Sequence, residues 1–75
     1  MNMGKNKEAL AAFKIATSLD PNNAKIHLNL ARAYLRVRNK DAALAEFRVL
    51  DTIDSTLAKI LYDEIFHDRI VKVQD

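Results

Sequence analysis

The chain has 75 residues and a net charge of +2, with 49% hydrophobic and 29% charged residues, one Gly, one Pro and no Cys. That balance describes one small, soluble, core-forming domain and excludes a disordered tail, a disulfide-stapled scaffold, a thiol nucleophile and Cys-ligated zinc. Gly4 alone cannot make a glycine-rich phosphate loop, and the longest apolar run, Ala9 to Phe13, is far short of a bilayer span. No secretory segment follows Met1, so the expectation is a protein that does not enter the membrane, with the cytoplasm as its default location.

The first helical pattern covers residues 5–19, where Ala9, Phe13 and Ala16 fall on one face. The rest of its circumference, including Leu10, Ala12, Ile15 and Leu19, leaves little polar surface beyond Lys7, Glu8, Lys14 and Ser18. A helix apolar on nearly all sides calls for burial on more than one of them. Asp20-Pro21-Asn22-Asn23 then stops it, since Pro21 disfavours helical geometry at Asp20, and Asn22 or Asn23 can cap the next helix.

The second helix is expected over residues 24–37, with Ile26, Leu30, Ala33 and Val37 as its core stripe. Arg38-Asn39-Lys40 forms a short turn in which Asn39 caps a third helix over residues 41–53, carrying Ala43, Phe47 and Leu50 on one face. Asp54-Ser55 breaks that helix and opens a fourth, expected from Thr56 to about Val71 with Leu57, Leu61 and Ile65 in line. Strand-like alternation is absent, so the chain reads as all-α, its short connections forcing consecutive helices antiparallel.

Helices one and three repeat each other. Ala9-x3-Phe13-x2-Ala16 returns as Ala43-x3-Phe47-x2-Leu50 at an offset of 34 residues, with Leu30-Ala31-x2-Tyr34 between them. This period, at two helices per unit, resembles the tetratricopeptide repeat family. The resemblance implies an antiparallel helix-turn-helix repeat, an α-solenoid fragment of four helices within a single domain, 1–75. In it, residues 5–19 are the second helix of a partial repeat, 24–54 a full repeat and 56–73 a capping helix. His27, Ala31, Arg38, Leu50 and Ser55 depart from residues common in the family, which suggests a degenerate final repeat. Arg38 in particular is acceptable there where the turn needs no positive φ.

The family presents the first helix of each pair along a groove that takes peptides or helices of partner proteins. Here that helix places Lys25, Asn29, Arg32 and Arg36 within about 60° of one another, with Leu28 and Leu35 beside them outside the expected core. These six are the peptide-groove candidates, suited to an acidic or carboxylate-bearing peptide; the alternative is a solvated face with two incidental leucines. Some family members clamp the C-terminal carboxylate of a chaperone with Lys, Asn and Arg. Asn29 and Lys59 can stand for the first two, but Asp63 occupies the place of the Arg, so the clamp is incomplete.

A second reading makes the chain an assembly unit, with Leu10, Ala12, Ile15 and Leu19 as self-association candidates. Residues 1–48 carry nine Lys/Arg against four Asp/Glu, and residues 49–75 three against six, so a +5 front and a −3 back permit head-to-tail contact between copies. The basic row lacks the interleaved aromatics of a nucleic-acid surface, and none is expected to bind. Glu64-x-x-His67 has the spacing of a carboxylate–histidine metal pair but stands alone. Ser18 and Ser55 have no histidine beside them in sequence. No metal, no cofactor and no enzymatic activity are therefore expected.

Overall fold

The computed structural model describes the backbone of residues 3–73 and the side chains of residues 4–66. It contains α1 (Met3–Leu19), α2 (Ala24–Arg36), α3 (Lys40–Ile53) and α4 (Ser55–Val73), and no strand occurs among the described residues. Each of the last three helices starts where a side-chain oxygen meets its orphan amides. Asn23 accepts from Ile26 N–H, Asn39 from Ala42 N–H, and Asp54 Oδ1 from the amides of Thr56 and Leu57.

The turn after α2 departs from expectation. Arg38 adopts φ 64°, in the left-handed region. The Asn39 amide reaches back to Tyr34 O at 2.8 Å and the Arg38 amide to Leu35 O at 3.1 Å. This is the paired reverse bonding that closes a helix through a left-handed residue, a place glycine usually fills. Arg38 therefore carries a positive φ that its sequence alone gives no reason to expect.

α2 lies at the centre, packed against α1, α3 and α4, and α4 packs against both α3 and α2. Among the described residues α1 packs against α2 alone. The core joins Leu28 and Ala31 of α2, Ala43 and Leu50 of α3, and Ala58, Leu61 and Ile65 of α4. Leu30 and Ala33 are buried too, outside that cluster, on the stripe with half-buried Ile26 and Val37. The expected core stripe of α2 is thus one of two buried faces. Leu28 belongs to the other at 6% exposure, which corrects its placement outside the core. The reason is tertiary: α4 returns onto α2 and covers a face that helix periodicity alone leaves open.

Candidate functional site

The cleft between α2 and α4 has a volume of 350 Å³ and is lined by Arg32, Leu35, Arg36 and Glu64. Three of these come from the candidate row on α2. Lys25 is exposed and Asn29 half-buried on the same helix face, and neither lines the cleft. Leu28 is withdrawn by its burial. Leu35 packs partly against the core and turns its remaining surface to the cleft.

Glu64 is the cleft residue that sequence reasoning does not place there. Its only signal is a position at the edge of the Leu57/Leu61/Ile65 stripe, where a charged side chain can leave the core and reach sideways. It accepts from Arg32 Nε at 2.9 Å and Nη2 at 2.6 Å, a two-pronged pair that ties α4 to α2. These hydrogen bonds, against the opposing effect of burial, hold the Arg32 pKa above its ordinary value. The basic row is accordingly less basic than its composition. The Arg32 charge is balanced by that of Glu64 within the cleft, whereas Arg36 is exposed and makes no ion pair among the described residues. Glu64 is also thereby taken from the Glu64-x-x-His67 pair, whose histidine side chain lies outside the described residues.

His27 is buried, at 5% exposure. Its Nδ1 lies 2.7 Å from Glu46 Oε1, and its Nε2 faces the Pro21 carbonyl. A carboxylate and a carbonyl oxygen are both acceptors, so this setting favours hydrogen on both ring nitrogens, the imidazolium form. Burial is the largest single influence and disfavours that charge. The bonds to Glu46 and Pro21 together with the Glu46 charge outweigh it, so the pKa lies above the ordinary 6.5. This arrangement stitches the turn before α2 to α3 and identifies a structural role for His27.

On α1 the half-buried residues Asn6, Ala9, Leu10, Phe13, Ala16 and Thr17 share the face toward α2. Leu10 therefore lies on the inner side, away from the other self-association candidates Ala12, Ile15 and Leu19. Those three are exposed, Ile15 at 61% and Leu19 at 80%. Lys14 Nζ stands 6.0 Å from the Tyr34 ring centroid across the α1–α2 contact.

No group of three or more His, Cys, Asp or Glu positioned to hold a metal occurs among the described residues. No helix is long and apolar enough there to cross a membrane. A family described as TPR repeat matches residues 1–37, which is α1, the following turn and α2. No curated protein and no solved structure matches the chain. The family match over residues 1–37 and the four-helix architecture support a TPR-like repeat protein. Repeats of this family serve in general as protein–protein interaction modules and are typically non-catalytic.

Proposed function

We propose that this TPR-like repeat protein holds an extended or helical segment of a partner protein in the cleft between α2 and α4. Its repeat frame takes residues 24–54 as the full unit, 5–19 as the second helix of a partial one and 56–73 as the cap. The observation that carries the reading is the cleft itself, where an apolar Leu35 wall meets an exposed Arg36 guanidinium that makes no ion pair among the described residues. A carboxylate on the partner would engage Arg36 and, further along the same face, Lys25 and Asn29. Arg32 contributes through its pair with Glu64, which fixes the cleft wall.

A random peptide library selected on the wild-type chain tests this. Selected peptides should be enriched in Asp, Glu or a free C-terminal carboxylate, and Arg36→Glu should weaken them at least tenfold while the helical circular dichroism stays unchanged. Peptides that bind Arg36→Glu as tightly as the wild type would remove the cleft from consideration.

The exposure of Ile15 and Leu19 favours a second reading, self-assembly through the outer face of α1. An apolar ridge of this kind on a soluble chain is commonly covered. Ile15→Lys with Leu19→Lys should then abolish assembly and leave the fold intact.

A further inference from the structure

We infer that His27 is a pH-sensitive latch: its protonated ring ties the turn between α1 and α2 to α3, and loss of the proton frees that turn and loosens the seating of α1.

Three segments meet at the ring. Nε2 is in hydrogen-bond contact with the Pro21 carbonyl of the turn, the ring itself belongs to α2, and Nδ1 lies 2.7 Å from Glu46 Oε1 of α3. His27 is 5% exposed, so water does not readily replace either partner. The other hydrogen bonds of the turn are local. The Asp20 amide bonds Ala16 O, Asn23 bonds Asp20 through both its amide and its side chain, and the amides of Ile26 and His27 bond Asn23. Among the described residues the His27 ring alone carries a hydrogen-bonded connection from the turn to α3.

A neutral imidazole has one N–H to share between two acceptors. The carboxylate is the stronger acceptor, so the hydrogen stays on Nδ1. The Nε2 lone pair then faces the lone pairs of the Pro21 carbonyl, the two repel at hydrogen-bond distance, and the turn moves off the ring. Of the elements packed on α2, α3 supplies the charge that acts on the ring, Glu46; among the described residues α1 and α4 supply none, and Asp20 of the turn is tied to Asn23 Nδ2 at 3.0 Å.

α1 feels the change because it leads into this turn and, among the described residues, packs against α2 alone. The buried stripe of Leu30 and Ala33 lies outside the core that α2 shares with α3 and α4, which leaves α1 as its cover. Opening of α1 therefore uncovers apolar α2 surface in response to proton loss. The bonds that the ring makes in the seated form strengthen its hold on the proton. Seating is accordingly firmest below the ordinary value of 6.5 and weakens as pH rises through the folded value.

Hydrogen exchange and NMR titration of the full chain test the latch, with the rings of His27 and His67 assigned separately. Protection of the α1 amides, corrected for the intrinsic exchange rate, should fall by about threefold or more from about pH 5.5 to about 8.5. The fall should follow the His27 midpoint, and the amide signals of Asn22 and Asn23 should titrate with it. Glu46→Gln removes the charge that favours the imidazolium, so the midpoint and the loss of α1 protection should move to lower pH together. His67→Gln should move neither. α1 protection that holds steady while His27 titrates overturns the latch, even where the core around Leu50 and Leu61 loses protection, because His27 then acts on global stability alone. A fall that keeps its midpoint in Glu46→Gln, or moves in His67→Gln, overturns it as well. The wild-type titration decides the matter should Glu46→Gln fail to fold.

Discussion

Two side chains depart from what their positions usually hold, and each has a measurable consequence. Arg38 sits at φ 64°, a conformation that costs a residue with a Cβ about 1 kcal/mol relative to glycine. Its side chain is exposed, so Arg38→Gly gives up little contact. The substitution should stabilise the chain by no more than about 0.5 kcal/mol, because the larger entropy of glycine in the unfolded state offsets most of the relieved strain. Urea denaturation measures it, and a loss of stability would show that Arg38 makes a contact worth more than its strain. His27 acts through pH. Its pKa is raised in the folded state, so its contribution is fully present below the unfolded value near 6.5 and fades as pH rises through the folded value. The ionisable group bonded to the ring is Glu46 of α3. Stability should therefore decline on the alkaline side of 6.5, and Glu46→Gln should flatten that decline by removing the charge that favours imidazolium. An NMR titration of the assigned His27 ring checks the cause; a midpoint at or below 6.5 would refute the imidazolium assignment.

At the scale of elements, apolar packing and ion pairing contribute unequally. Leu50 and Leu61 are fully buried where α3 and α4 meet the core. Truncation of either to Ala should cost about 2–5 kcal/mol, enough to threaten folding in a domain of this size. The Arg32–Glu64 pair also joins two helices, but its side chains are 40% and 35% exposed. Solvent screens such a pair, so Glu64→Gln should cost less than about 1 kcal/mol. Comparable denaturation midpoints for Leu61→Ala and Glu64→Gln would contradict this ranking. The same contrast separates what was legible in the sequence from what was not. Helix positions and the caps Asn23, Asn39 and Asp54 are local signals, carried by periodicity and by a side chain bonding an amide a few residues on. The second buried face of α2, with Leu28, exists only because α4 folds back over it. Arg32 and Glu64 stand 32 residues apart, and His27 and Glu46 stand 19 apart, so neither pairing appears in any local window. Arg32, Leu35 and Arg36 were legible as one surface row, but the element that turns part of that row into a cleft was not.

For the whole molecule, unequal packing predicts unequal opening. α1 is 17 residues long and, among the described residues, rests on α2 alone and has no buried side chain. A helix of that length is marginal in water, so its persistence depends on one half-buried face built largely from Ala9, Leu10, Phe13 and Ala16. α2, α3 and α4 instead share one core and should open together. Amide hydrogen exchange in dilute solution should then show α1 exchanging by a local opening, while amides around Leu50 and Leu61 exchange only with global unfolding. Equal protection of α1 and α3 would contradict this division. Covering the Ile15/Leu19 ridge with another copy ties the opening of α1 to association, and whatever binds the closed form alone stabilises it by mass action. Protection of α1 should therefore rise with chain concentration, and Ile15→Gln/Leu19→Gln should remove that rise without altering the protection of the core. A concentration-independent α1 would mean that the ridge stays uncovered by its own kind, and the proposed partner surface would then be the cleft between α2 and α4 alone.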